Sequence, residues 1–181
     1  SGTGKTTLAT ALAEALGAEL LRTDTIRREL FGVGSHASEK DVGVYSKEAR
    51  QRVYEECYQR AANLHTDRMS VVLDGTFSTL DLLGIAQRVA GNPRSVFLAI
   101  ECACPPEVAQ QRISQRLAEG RDASEARPEI HDLQRTRWET WPADIPQIRV
   151  DTEQLLARQV EQVIAALTPR AELEGEMGDQ L

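Results

Sequence analysis

The feature that most constrains this chain is its opening run, Ser1-Gly2-Thr3-Gly4-Lys5-Thr6-Thr7, which leads without a break into a helical pattern. Leu8, Leu12 and Leu16 recur at a spacing of four with alanines between them, which predicts a helix over 5–16. Gly17 is placed to close it as a C-cap. Glycines ahead of a first helical turn let the backbone curl so that successive N–H groups converge. The positive end of the helix faces the same point, which suits an anion. Lys5 adds a point charge, and Thr6 adds a hydroxyl able to ligate Mg2+. The run matches the later part of G-x-x-x-x-G-K-[ST], whose spacing serves nucleotide phosphates. A bare G-K-T is a weak signal, whereas S-G-x-G-K-T-T opening a helix is a strong one. The bland alternative is a glycine-rich helix start.

The first Gly of that motif falls ahead of Ser1, and so does the strand that leads into such loops. The sequence therefore begins inside a motif, which suggests a fragment or an unread upstream segment. If Ser1 is the true start, the loop is unsupported and an inactive fragment is a further reading.

The rest of the chain alternates short apolar runs with amphipathic stretches, the pattern of an α/β domain with a mainly parallel sheet. Strands are predicted at 19–22, 71–73 (ending at Asp74), 95–101 and 147–150. Helices are predicted at 25–31, 44–67, 80–90, 105–117, 128–138 and 152–167. Asp24 is placed to cap the first of these. Pro105 suits the first turn of a helix. The stretch 32–43 holds three Gly and two Ser and reads as a mobile loop. A polar, glycine-containing loop is expected at 119–127. The acidic stretch 168–181 reads as a flexible tail. One domain over 1–167 follows, and 181 residues suit a single core.

Charge and cysteine usage narrow the partners. A net charge of −7 argues against general affinity for nucleic-acid backbone, though not against a local basic pocket. Cys57, Cys102 and Cys104 form no disulfide framework and have no zinc-ligand partners at the usual spacing. No apolar run approaches the about 20 residues that span a bilayer, and no signal peptide opens the chain. A cytoplasmic, membrane-free protein is the expectation.

Four segments together resemble a known family: S-G-T-G-K-T-T, L-L-R-T-D-T-I-R-R-E-L, V-V-L-D-G-T-F and C-P-P-E-V-A-Q-Q-R-I-S-Q-R. They are similar to the P-loop kinases related to polynucleotide 5′-kinase, zeta toxin and chloramphenicol phosphotransferase. They look closest to the AAA-type ATP-binding domain that bacteria fuse behind an aminoglycoside-phosphotransferase-like domain. The resemblance runs from Ser1 to about Asp151. It implies a P-loop NTPase three-layer sandwich with a parallel five-stranded sheet of order 2-3-1-4-5, the first strand missing from the given sequence. It also implies ATP and Mg2+, an arginine-bearing lid at about 112–127, and a possible fused or partner domain.

Site residues follow from the motifs and the resemblance together. ATP·Mg2+ is expected at Ser1, Gly2, Thr3, Gly4, Lys5, Thr6 and Thr7. Asp24 lies just past a strand, at the edge where open α/β sheets bind ligands. In the R-x-D context of the resembling kinases that Asp deprotonates the acceptor hydroxyl; alternatively it only caps a helix. Arg27, three residues on, matches an Arg that grips a substrate phosphate. Asp74 ends an apolar strand in a Walker-B-like pattern and serves either metal or substrate. Alternatively it merely starts a turn with Gly75. Thr76 could line the same pocket. Arg112 and Arg116 share a helix face; spacing alone suits a solvated surface, and the resemblance makes them phosphate clamps. Arg121 sits in the lid itself.

The remaining residues read blandly. His36, His65 and His131 are scattered. Trp138, Trp141, Tyr45, Tyr54 and Tyr58 suit packing. The expectation is an ATP-dependent phosphotransferase acting on a hydroxyl of a small-molecule or nucleotide-like substrate, with Lys5, Asp24, Arg112 and Arg116 as catalytic residues. The rival is a regulatory ATP-binding module that hydrolyses slowly and signals to a partner domain. The segment 32–58, which would choose the substrate, carries no decoding motif.

Overall fold

The computed structural model describes residues 1–32, 46–91, 95–119 and 139–175. In chain order the elements are α1 (Lys5–Leu16), β1 (Glu19–Arg22), α2 (Thr23–Phe31), α3 (Lys47–Thr66), β2 (Val71–Asp74), α4 (Leu80–Val89), β3 (Ala99–Ala103), α5 (Pro106–Ala118), β4 (Gln147–Asp151) and α6 (Leu156–Gly175). The expected mobile loop at 32–43, the polar loop after 119 and the helix at 128–138 lie outside the described residues, except for Gly32 and Glu119. Arg121 and the expected lid beyond 119 lie outside them too.

The strands form two parallel pairs. β1 runs beside β2 with Arg22 opposite Asp74 at the carboxyl end. β3 runs beside β4 with Ala103 opposite Asp151. Each pair agrees with an outer pair of the expected 2-3-1-4-5 order.

Side-chain alternation along β2 sets the layers. Val72 faces the cluster of Leu8, Leu12, Val150 and Val163 that joins α1 to β4 and α6, and Ile100 and Cys102 of β3 join the same cluster. Its neighbour Leu73 points the other way, toward Ile26 of α2 and Val53 and Cys57 of α3. Period-two alternation therefore buries both sheet faces, with α1 and α6 on one side and α2, α3 and α4 on the other. Leu83, Ala99, Trp141 and Ile145 form a further cluster, so Trp141 packs. Tyr54 and Tyr58 pack as well, with hydroxyls donated to the Thr76 and Leu82 carbonyls, both at 2.6 Å.

The predicted elements are present, several with shifted boundaries; α3, for example, begins at Lys47 rather than 44. α1 spans 5–16 as expected, with Gly17 left-handed at φ 59 after it. α2 starts at Thr23 because β1 runs straight into its first turn without a loop. β3 occupies 99–103 rather than 95–101. Its length is set by its partner, since the Ala99 amide takes up the Pro146 carbonyl at 2.8 Å and the Thr152 amide takes up Ala103 at 2.9 Å. Pro105 is the cap of α5 and Pro106 opens it. α6 begins at Leu156, after a turn at 152–155, and runs to Gly175, beyond the expected end at 167. Ser46 caps α3 by accepting the Ala49 amide at 3.1 Å. No helix among the described residues is long and apolar enough to cross a membrane.

Candidate functional site

The run 1–7 forms the turn into α1 and its first residues. Gly2 and Gly4 both hold positive φ, at 77 and 82. Gly2 also lies too close to a neighbour for any side chain, and Gly4 leaves little room for one. A Cβ on Gly2 would sit 2.4 Å from the Ala109 carbonyl oxygen of α5, and one on Gly4 would sit 3.1 Å from the Thr152 Cβ. Glycine is thus required at position 2 for both conformation and close approach, and at position 4 for conformation. The first turn of α1 carries no acidic residue, so its positive end is uncompensated by side chains of its own. Lys5 lies over the loop, its Nζ 3.5 Å from Thr3 Oγ1. Thr7 is exposed.

Thr6 meets Asp74 directly. The Thr6 hydroxyl donates to Asp74 Oδ2 at 2.7 Å, and Asp74 is 8% exposed. Arg22 Nε approaches the same oxygen at 3.4 Å. The Thr23 hydroxyl donates to the Asp74 carbonyl at 3.3 Å. Parallel pairing brings the carboxyl ends of β1 and β2 level, which is why these groups converge. A hydroxyl beside a carboxylate is a hard-oxygen donor set that suits Mg2+, with waters and phosphate oxygens completing the shell. Among the described residues no group of three or more His, Cys, Asp or Glu could hold a metal by itself.

Asp24 and Arg27 pair with each other, Arg27 Nη1 donating to Asp24 Oδ1 at 2.6 Å. Their side chains are 33% and 15% exposed, respectively. Asp24 makes no side-chain cap of α2: Arg22 occupies the cap position and Asp24 stands in the first turn. The capping expectation is corrected for the reason given above, that β1 enters the helix without a loop. Thr76 contributes its carbonyl to Tyr54. The Tyr54 phenol is held well above its ordinary range, chiefly by burial.

Arg112 and Arg116 project from α5 beside the loop. Arg112 donates from Nη1 to Thr152 Oγ1 at 3.1 Å and from Nη2 to the Thr152 carbonyl at 2.8 Å. Arg116 Nε donates to the Arg112 carbonyl at 3.3 Å. Its Nη2 is buried with no hydrogen-bond partner among the described residues.

The structure thus places Lys5 and Arg116 beside the loop and joins Thr6 to Asp74. Two residues with a part in this arrangement were not singled out in the sequence. Arg22 ends an apolar strand with a charge, a signal in itself. Thr152 was counted into the following helix, so its place in the turn was hidden.

A family model described as an AAA domain matches residues 1–140. The chain belongs to the AAA domain family. Relatives of this AAA domain include the uncharacterized protein Rv2004c of Mycobacterium tuberculosis, 35% identical over 126 residues. A Mycobacterium bovis protein, Mb2027c, matches to the same degree. The match takes in 68% of this chain and 25% of each relative, so the chain spans about a quarter of their length. Among solved structures, the AAA domain is similar to a candidate kinase from Chloroflexus aurantiacus, with 28% identity and a TM-score of 0.67 over 96% of this chain and 91% of that one. A gluconokinase from Sinorhizobium meliloti shares the fold at 20% identity and a TM-score of 0.67, over 98% and 92% of the two chains. The APS kinase CysC of M. tuberculosis, solved with AMPPNP and APS, shares it at 19% identity and a TM-score of 0.64, over 92% of each. The expected P-loop NTPase α/β fold is therefore the fold of this domain.

Proposed function

We propose that this domain is an ATP-dependent kinase that binds ATP at Ser1–Thr7 and transfers its γ-phosphate to a hydroxyl of a small-molecule or nucleotide-like substrate. The observation that carries the reading is the phosphate loop itself. Gly2 and Gly4 curl ahead of α1 while the Thr6 hydroxyl lies 2.7 Å from the Asp74 carboxylate. The buried, unsatisfied Nη2 of Arg116 beside this loop adds to it, because a phosphate oxygen would satisfy that group.

In this reading Lys5 bears on the β and γ phosphates, and Arg116 neutralises charge that builds on the transferring group. In the same reading Arg112 and Arg121 contribute further positive charge to the phosphates, Arg112 while its two Nη atoms donate to Thr152. Thr6 and Asp74 would hold Mg2+, which when bound screens the phosphate charges and orients them. Asp24 accepts the proton of the attacking hydroxyl, and Arg27 fixes its carboxylate through the ion pair at 2.6 Å. Arg27 also remains the residue to reach a substrate phosphate, and Thr76 lines the substrate side. The likeness to kinases of sugars and of APS supports small molecules as the substrate class.

The test is a panel of sugars, nucleosides and aminoglycosides, scored by ADP release. A substrate should raise ADP release in the native chain, and Asp24→Asn should abolish the rise while ATP still binds. A substrate-dependent rise that survives Asp24→Asn would contradict the assignment of the base.

One observation favours a second reading. This domain matches only 25% of its mycobacterial relatives, so a regulatory ATP-binding module acting on a fused or partner domain is also consistent. Such a module would bind ATP, show no substrate dependence, and tolerate Asp24→Asn.

A further inference from the structure

The turn between β4 and α6 holds an anomaly. Thr152 is 6% exposed, while Asp151, Glu153, Gln154 and Leu155 around it are all exposed. A short polar side chain buried within an exposed turn needs partners, and Thr152 has a full set. Its amide donates to the Ala103 carbonyl at 2.9 Å. Its hydroxyl donates to the same carbonyl at 3.2 Å and accepts Arg112 Nη1 at 3.1 Å. Its carbonyl accepts Arg112 Nη2 at 2.8 Å.

The apolar side of Thr152 faces the phosphate loop. Its Cβ, Cγ2 and Oγ1 lie 3.1, 3.3 and 3.3 Å from the point where a Cβ on Gly4 would stand. On its other flank the loop rests on α5, with Gly2 against the carbonyl of fully buried Ala109. Ala109 and Arg112 are three apart on α5 and so share a face. The loop is therefore wedged between two walls, Ala109 and Thr152, and Arg112 is the brace that ties one wall to the other.

We infer that Thr152 is a positioning residue of the nucleotide site, which fixes the Gly4 turn and sets the direction of the Arg112 guanidinium. Both Nη atoms of Arg112 donate to Thr152, so its aim at any phosphate is decided by that residue. Hydrogen bonds from a charged donor are stronger than neutral ones and hold direction better. The inference rests on the reading of Ser1–Thr7 as the ATP site.

The test is a double-mutant cycle on ATP·Mg2+ affinity, by calorimetry on the full chain with Thr152→Val, Thr152→Ser, Arg112→Met and the double variant Thr152→Val/Arg112→Met. Titrations are run below the lowest thermal midpoint of the set, so that every variant is folded. Valine keeps the shape against Gly4 and removes the hydroxyl; serine keeps the hydroxyl. The expected result is about tenfold weaker ATP binding for Thr152→Val and for Arg112→Met. Thr152→Ser should stay within about threefold of the native chain. The double variant should be no weaker than its weaker parent, since the two residues act as one unit. Native affinity in Thr152→Val, or losses that multiply to about a hundredfold in the double variant, would overturn the inference while leaving the ATP site intact. Absence of ATP binding by the native chain would overturn both the ATP reading and this inference.

Discussion

The Thr6 hydroxyl and the Asp74 carboxylate, 68 residues apart in sequence, meet at 2.7 Å. The bond joins the first turn of α1 to the end of β2, and it puts two hard oxygen donors where a phosphate-bound cation would sit. Thr6→Val and Asp74→Asn should each weaken ATP binding about ten- to a hundredfold in the presence of Mg2+. EDTA should bring the native chain down to the same level and should leave either variant nearly unaffected. Calorimetry with and without Mg2+ checks this. Variants that retain full Mg2+ dependence would place the cation elsewhere.

Gly2 stands at φ 77 with the Ala109 carbonyl oxygen 2.4 Å from the place of a Cβ. A methyl group there meets rigid helix backbone rather than a side chain that can swing aside. Gly2→Ala should cost on the order of 1–3 kcal/mol of stability, the usual range for enforced backbone strain, and should abolish nucleotide binding. Urea unfolding and an ATP titration of the same variant measure both effects. A variant as stable as the native chain would contradict the close packing of the loop on α5.

Leu12 lies 2% exposed in the cluster with Leu8, Val150 and Val163 that fastens α1 to β4 and α6. Leu12→Ala should lower unfolding free energy by about 2–5 kcal/mol, transfer and cavity terms together. Glu14→Gln, on the exposed side of the same helix, should change it by less than about 0.5 kcal/mol. Equal effects from the two would mean that α1 packs on another face.

Two thiols contribute to the alkaline limit. Burial raises Cys57 from 9.0 to about 11, and it raises Cys102 equally. The folded chain thus keeps protons that the unfolded chain releases between pH 9 and pH 11. Their contribution to stability is complete below pH 9 and is lost as pH rises through 11. The urea midpoint should fall over that window, and Cys57→Ala should flatten part of the fall. An unchanged slope in Cys57→Ala would contradict the assignment.

Much of this could be read from residues alone, and the parts that could not have a common cause. α1 and its loop were legible because Leu8, Leu12 and Leu16 keep a helical period and the glycines mark the turn. Val71 to Asp74 was legible as a buried strand with a carboxylate at its functional end. Local pattern does not encode what strand pairing decides. β3 takes its limits from β4, so its apolar run over 95–101 misplaced it. Arg22 reaches Asp74 only because β1 and β2 end level. Thr152 acquires a role only when the turn after β4 folds against Gly4, a contact between residues 148 positions apart. Asp24 could cap α2 only if a loop preceded the helix, whereas the strand runs into it directly.

The central claim is that Ser1–Thr7 binds ATP, and titration of ATP·Mg2+ by calorimetry on the native chain and on Lys5→Ala tests it most directly. The account predicts saturable binding to the native chain at one site, weakened at least about tenfold in Lys5→Ala. Equal binding by the two chains, or no binding by the native one, would contradict it.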